Sequence, residues 1–344
     1  MQARVVMDHS FNSKTKLYIG SEAQYVRYLN NSNTSIYQLN DLLIANFVES
    51  EFYITHHIAA RAGVRSETST TINRTNLAPR VSVAWVMSRN SQLSVAVGDF
   101  HQLPSELYLY SNKNLSFENA THYIINYQFT KNQRTFRLEA YYKDYNHLVK
   151  EINPAPFNMF AYGHMPNGNT DNSGKGYAKG FDVFWYDKKS IPNLDYWISY
   201  SYLDTKRIYR NYPSEVMPTF AANHNLSVVA KYNIPKTTVN VGATYNYTSG
   251  RPYYNPNTAF LSDRTPPVHN VILNFNYAMF YKNNLVALFA YVDNVLGIKN
   301  VNNYAYSMDG AQRYEIRPPA YRSIYAGAHI SFSKKKRSIM GINL

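Results

Sequence analysis

The stretch TTVNVGATYNYT, residues 237–248, decides the fold class of this chain. Apolar side chains alternate in it with small or polar ones; the apolar set comprises Val239, Val241, Ala243, Tyr245 and Tyr247. Strict alternation is typical of a β-strand with one apolar and one polar face. Soluble strands usually run ~5–6 residues, whereas a tilted strand that crosses a bilayer needs ~9–11. The stretch therefore predicts a transmembrane strand.

The same alternation recurs along the whole chain and predicts about fifteen strands. No apolar stripe at helical spacing is sustained, so we expect no helix. The predicted fold is all-β. The expected strands cover residues 2–11, 14–28, 36–49, 51–66, 79–89, 91–100, 119–130, 133–149, 176–188, 195–209, 222–233, 237–249, 266–281, 284–297 and 319–333.

The connections between these strands alternate in length. The short ones are 12–13, 89–90, 130–132, 187–193, 234–236 and 282–283; the long ones are 67–78, 101–118, 150–175, 210–221, 250–265 and 298–318. Short turns on one rim and long loops on the other indicate a transmembrane antiparallel up-and-down β-barrel. Aromatic girdles should lie near the strand ends, and the candidates are Tyr141, Tyr142, Trp185, Tyr186, Tyr196, Trp197, Tyr253, Tyr254, Tyr304 and Tyr306.

Composition limits the other possibilities. Charged residues are 17% of the 344, against about 25% in soluble domains. No apolar run approaches the ~18 residues of a membrane helix, and the absence of cysteine excludes disulfides and thiolate chemistry. The formal charge is +13. We expect basic residues such as Arg137, Lys143 and Lys179 to line the lumen and rims, where they would favour an anionic solute.

Strand parity predicts how much of a barrel the chain represents. If the strand at 319–333 descends to the periplasm, the alternation places Met1 at the extracellular end of the first strand. An odd count is unlike a complete bacterial barrel, which has an even number of strands. We also find no apolar segment of a signal peptide near Met1. The expectation is that residues 1–333 are the C-terminal part of a larger barrel and that 334–344 form a basic, solvated tail with no nucleic-acid role.

Several motifs carry a resemblance to a known family. They are NLAPR at 76–80, GDFHQLP at 98–104, FENATHY at 117–123, GYAKGFD at 176–182, NHNL at 223–226, YTSGRPY at 247–253, VDNVL at 292–296 and the final segment from Pro318 to Phe332. In order and spacing, this set resembles the C-terminal barrel half of TonB-dependent outer-membrane receptors of Bacteroidetes type.

The resemblance implies a 22-stranded barrel in the bacterial outer membrane, closed by a plug outside this chain that couples to the TonB complex. It implies uptake of a ferric siderophore, haem, cobalamin or glycan, with outer-membrane lipid and a surface lipoprotein as further partners and with no cofactor. Loop and lumen side chains would bind the ligand; the candidates are Tyr108, Tyr110, Tyr162, His164, Tyr212, Arg251, Tyr253 and Tyr254.

Alternatives remain open at this stage. A plugless porin or a barrel adhesin would show the same strands, and a soluble β-rich binding protein would also be rich in tyrosine. Enzymatic activity is not expected, because no nucleophile is arranged with a base. The ten histidines are scattered, and His56 and His57 would point to opposite faces of a strand, so that they could not ligate one lumenal ion together.

Overall fold

The computed structural model describes residues 1–32, 35–153, 169–281 and 284–332. Nearly all regular structure in these ranges is β. The elements are β1 Gln2–Asn12, β2 Thr15–Ser32, β3 Ser35–Tyr53, β4 Ile58–Ser69, β5 Arg74–Ser88, β6 Ser91–Gln102, α1 Glu106–Ser111, β7 Glu118–Lys131, β8 Arg134–Glu151, β9 Thr170–Asp187, β10 Leu194–Ile208, β11 His224–Asn233, β12 Val239–Thr248, β13 Pro252–Tyr253, β14 Asp263–Arg264, β15 Val268–Tyr281, β16 Asn284–Asp293, β17 Asn303–Tyr306, β18 Arg313–Ile316 and β19 Ser323–Ser331.

Fifteen of these strands form one antiparallel sheet. Its order follows the chain from β1 to β12 and continues with β15, β16 and β19, so that β1 and β19 are its two edges. Each strand of this sheet therefore pairs with the sheet's next strand along the chain, as an up-and-down barrel wall requires. The all-β, up-and-down prediction is confirmed.

The register separates the sheet into an apolar and a polar face. Val241 is opposite Phe275, whereas its neighbour Asn240 is opposite Asn276. Val241 and Phe275 are 40% and 42% exposed. Large apolar side chains stay exposed along this face through most of the sheet, including β1, β5, β7 and β15. A soluble protein would bury such a surface, whereas a barrel turns it toward lipid.

Aromatic side chains form rows on the apolar face. Toward the long-loop end, the rings of Tyr123 and Tyr142 lie 6.2 Å apart and those of Phe181 and Tyr202 lie 5.7 Å apart. Tyr142 lies inside β8, not near its end as expected. The reason is that β8 has 18 residues, more than a bilayer needs, so the girdle falls partway along it.

Two predicted connections were wrong. The expected long loop at 67–78 is a turn of residues 70–73, because β4 extends to Ser69 and β5 begins at Arg74. The Asp41 carboxylate accepts hydrogen bonds from the Ser69 hydroxyl and the Thr71 backbone N–H at 2.7 and 2.9 Å, which fixes this turn. Its Ser/Thr/Asn-rich sequence looked like a loop because a strand that leaves the membrane is polar on both faces.

The turn between β3 and β4 also differs from expectation. It covers residues 54–57, where Thr55 accepts the backbone N–H groups of His57 and Ile58 at 3.1 and 3.0 Å. His56 and His57 are therefore exposed turn residues, so the strand geometry assumed for them was wrong.

The long connections contain structure that periodicity did not reveal. The helix α1 in the β6–β7 loop contradicts the expectation of no helix; at six residues it is too short to display a stripe. Two-stranded hairpins β13–β14 and β17–β18 occupy the predicted loops at 250–265 and 298–318. The expected tail at 334–344 lies outside the described residues. No helix in the described ranges is long and apolar enough to span a membrane.

Candidate ligand-binding site

The first cluster on the long-loop rim surrounds α1. Tyr108 is buried, and its hydroxyl donates a hydrogen bond to Glu151 Oε1 at 3.1 Å. Leu109 packs with Tyr108, and the half-buried Tyr110 borders them. The other buried members are Leu39, Ile72, Leu115, Phe117 and Val149. This loop is thereby packed against β3, the 70–73 turn and the end of β8.

The second cluster joins the connection between β10 and β11 to the connection between β12 and β15. Its core contains Tyr209 and Tyr212, whose rings meet edge to face at 4.9 Å. Phe260 lies 5.2 Å from Tyr212 and 6.1 Å from Tyr254. Leu148 of β8 is part of the same core. The residues come from two separate connections and from β8, which explains why no local sequence pattern marked them.

The third cluster joins the two hairpins. The Tyr253 ring on β13 lies 4.7 Å from that of Tyr304 on β17. The Arg313 guanidinium stacks over Tyr304 at 4.4 Å, and its Nη1 donates to the Tyr253 hydroxyl at 3.4 Å. Arg251 is half-buried beside this cluster, and its backbone N–H donates to Thr265 Oγ1 at 3.1 Å.

Burial moves the pKa of two candidate phenols further from physiological pH. Burial, followed by the nearby Glu151 carboxylate, raises the pKa of Tyr108 well above its usual range. Burial, followed by Tyr209, raises the pKa of Tyr212 to about 12. Tyrosine phenols are neutral at physiological pH, and these shifts keep both in the form that offers an O–H group and not the anionic oxygen that a hard metal ion prefers.

Sequence reasoning missed a cationic site near the end of β10. The Arg207 guanidinium carbon lies 4.1 Å from the centre of the Tyr145 ring, 5.7 Å from Tyr209 and 5.5 Å from Phe220. Its Nε is buried and has no hydrogen-bond acceptor within the described residues. The available signal was register: Tyr145 and Arg207 both pair with Gly176, whose missing side chain leaves room for the aliphatic part of the Arg207 side chain.

Six of the eight predicted site residues lie in the described ranges, and they do not form one cluster. Tyr108 and Tyr110 share the first cluster, Tyr212 and Tyr254 the second, while Tyr253 lies in the third with Arg251 beside it. Tyr162 and His164 lie outside the described residues. Tyr108, Tyr212 and Tyr253 are buried, which gives these rings a packing role. Ligand contact by any of the eight stays a prediction.

The basic residues expected in the lumen occupy both faces. Arg137 and Lys143 share the polar face, opposite Gln128 and His122. Lys179 is opposite Tyr142, on the apolar face near the loop rim, where it pairs with Asp204 at 3.4 Å. No group of three His, Asp or Glu side chains in the described part of the chain could hold a metal ion.

A sheet of fifteen long antiparallel strands with one exposed apolar face and aromatic loops on one rim defines a transmembrane β-barrel protein. The family described as TonB dependent receptor-like, beta-barrel matches residues 5–295, and the chain belongs to this family. Members of the family are receptors and transporters. The comparison with curated proteins gave no match.

Solved structures of similar fold include two receptors and an iron transporter. A variant of the ferric enterobactin receptor of Pseudomonas aeruginosa is 13% identical, with a TM-score of 0.75 over 96% of this chain and 53% of its own. The ferric-catecholate import receptor of Escherichia coli K12 is 10% identical, with a TM-score of 0.68 over 95% of this chain and 53% of its own. The FrpB iron transporter of Neisseria meningitidis is 11% identical, with a TM-score of 0.70 over 95% and 54%. The chain thus spans about half the length of these proteins.

Proposed function

We propose that this chain is the barrel part of an outer-membrane receptor that takes up a large, scarce nutrient with energy delivered through TonB. The observation that carries the proposal is the difference between the two rims of the wall. Short turns connect the strands at one rim, whereas long loops packed through aromatic clusters connect them at the other. Membership of the TonB-dependent receptor family supports an outer-membrane location and a TonB partner. The candidate cargoes are a ferric siderophore, haem, cobalamin or a glycan.

We assign the ligand contacts to the loop rim. Arg251, Tyr110 and Tyr254 are only half-buried and remain accessible, while Tyr108, Tyr212 and Tyr253 would hold the loops in place beneath them. Tyr162 and His164 complete the proposed set. Aromatic rings and an arginine suit a ligand that is anionic or carries flat groups. Arg207, framed by three rings, is added to this set on the same reasoning.

Growth of the native host on single nutrients tests the proposal. Deletion of the gene should abolish growth on one cargo class under limiting conditions, and the intact gene should restore growth only in cells with functional TonB. Restored growth that is indifferent to TonB would contradict the receptor and favour a porin. Binding of the cargo so identified should weaken in Arg251→Gln, whereas Lys236→Gln, in the turn between β11 and β12 on the opposite rim, should bind normally.

A further inference from the structure

An aromatic row crosses the apolar face of the sheet near the short-turn rim. It consists of Phe129 on β7, Phe136 on β8 and Trp185 on β9, which are opposite one another across the two strand pairs. Aromatic girdles of this kind lie where the hydrocarbon core of a bilayer meets its headgroups. The row therefore marks the membrane boundary at this end of the wall.

A charged row follows on the same face. Lys131, Arg134 and Asp187 are opposite one another and lie two residues closer to the turns than the aromatic rings. Two residues of a strand tilted by ~45° correspond to roughly 5 Å along the membrane normal, and the headgroup layer on each side of a bilayer is roughly 5–7 Å thick. The charged row therefore lies at the level of the lipid headgroups.

The carboxylate of this row is satisfied within the turn between β9 and β10. Asp187 is 1% exposed, and its Oδ1 accepts the backbone N–H groups of Lys189 and Ser190 at 2.7 and 2.9 Å. Its Oδ2 accepts the Ser190 hydroxyl at 2.5 Å, the Arg134 Nε–H at 3.2 Å and the Tyr196 hydroxyl at 3.3 Å. Asp187 thus fixes the turn from within and is shielded from the lipid headgroups.

Two lysines beside this carboxylate have no counterion. Lys131 and Lys189 are exposed, and neither forms an ion pair with the residues that the structure describes. By contrast, Arg134 is paired with the buried carboxylate, and Lys188 is paired with Asp195 at 3.2 Å. Four cations against two carboxylates leave a formal charge of 4 − 2 = +2 on residues 131–134 and 187–195.

The β7–β8 and β9–β10 turns lie side by side, which brings the two lysines to one place. The Lys188 backbone N–H donates to the Gln133 carbonyl at 3.2 Å, and Arg134 Nη2 donates to Ser190 Oγ at 2.9 Å. Lys131 is two strands from the end of β9, roughly 10 Å at the usual strand spacing. Lysine has a flexible four-carbon stem, so both ammonium groups can reach a single headgroup between them.

We propose that these two turns bind the headgroup of an anionic phospholipid in the membrane leaflet at the short-turn rim. Lys131 and Lys189 donate to its phosphate oxygens from two sides, and the aromatic row packs against the lipid below the headgroup. A zwitterionic phospholipid binds less tightly, because it brings a cation of its own close to the lysines. The inference goes beyond the proposed uptake function, since it concerns the outer surface of the wall and depends neither on the plug nor on the nutrient.

Native mass spectrometry of the full-length receptor purified in detergent tests the site, with phosphatidylglycerol and phosphatidylcholine of the same acyl chains as probes. Phosphatidylglycerol should bind more tightly than phosphatidylcholine. Lys131→Gln and Lys189→Gln should each weaken phosphatidylglycerol binding by about fivefold, and the double variant by about 25-fold, since a lysine near an anionic lipid surface contributes roughly 1 kcal/mol. Phosphatidylcholine binding should remain nearly unchanged in all three variants.

Lys14→Gln is the matched control. Lys14 is also an exposed lysine of a short turn and forms no ion pair in the described part of the chain, but it lies between β1 and β2. This variant should bind like the unaltered protein, and Lys189→Arg should keep its affinity because it keeps the charge. A heat-dependent gel shift checks that each barrel is folded, which we expect because these lysines are exposed.

Three outcomes would overturn the site. They are equal affinities for the two lipids, equal losses in Lys14→Gln and Lys189→Gln, and displacement of the lipid by inorganic phosphate, which would assign the turns to a free anion. None of them bears on TonB-dependent growth.

Discussion

Placing an arginine at Phe275 measures which face of the wall meets lipid. Phe275 lies seven residues after Val268 and six before Tyr281 in β15. At ~3.4 Å per residue and a tilt of ~45°, these distances correspond to roughly 17 and 14 Å along the membrane normal. The apolar band of a barrel is ~25 Å tall, so Phe275 lies close to the bilayer midplane. Its side chain is 42% exposed on the apolar face.

Phe275→Arg should therefore lower the free energy of unfolding by about 2–4 kcal/mol, the cost of an arginine facing lipid at the midplane. Asn276→Arg is the matched control, since Asn276 is exposed on the opposite, polar face one residue away and opposite Asn240. It should cost less than ~1 kcal/mol, because its guanidinium would reach the lumen.

Denaturant titration in phospholipid vesicles provides the measurement. The three tryptophans, Trp85, Trp185 and Trp197, supply the fluorescence signal without further labelling. Equal costs for the two variants, or a larger cost for Asn276→Arg, would refute the assignment of the apolar face to lipid and with it the barrel in a membrane.

Three further predictions concern topology, backbone packing and the β17–β18 hairpin. In intact cells, a cysteine at Asn257 should react with a membrane-impermeant thiol reagent and one at Arg89 should not; the cysteine-free background makes the result clear, and the opposite pattern would invert the orientation. Gly180→Ala should destabilise the wall by about 1–3 kcal/mol in the same titration, because its Cβ would lie 2.0 Å from the Tyr202 carbonyl oxygen; an unchanged midpoint would contradict this contact. Tyr304→Ala should hasten proteolysis within residues 303–316, since the lost ring contacts contribute about 0.5–1.5 kcal/mol each; an unchanged cleavage rate would mean that the hairpin is held by other contacts.

The sequence was most informative where one face of a strand meets lipid. Around Val241 and Phe275 the alternation predicted both the strands and the exposed face, because a tilted strand in a bilayer must keep period two for its full length. It was least informative above the membrane. There the strands that flank residues 70–73 are polar on both faces, and the pattern vanishes although the hydrogen-bonded ladder continues.

The candidate site was harder to predict than the wall. Tyrosines on the loops were recognisable by type, but their grouping depends on contacts between distant connections, such as Tyr212 with Phe260. Arg207 could be found only from the register that brings it beside Tyr145. Likewise, the pairing of Gly63 with Arg80 follows from strand order and not from local sequence.

The aromatic clusters link the loops mechanically. Neighbouring residues Leu148 and Val149 on β8 belong to the second and first clusters, so the two are joined through one strand. The connection between β12 and β15 contributes Leu261 to the second cluster and Tyr253 to the third. A continuous line of contacts therefore runs from β3 to the β17–β18 hairpin. A displacement imposed on one loop is therefore resisted by its neighbours, so that the long loops respond to a force together and not independently.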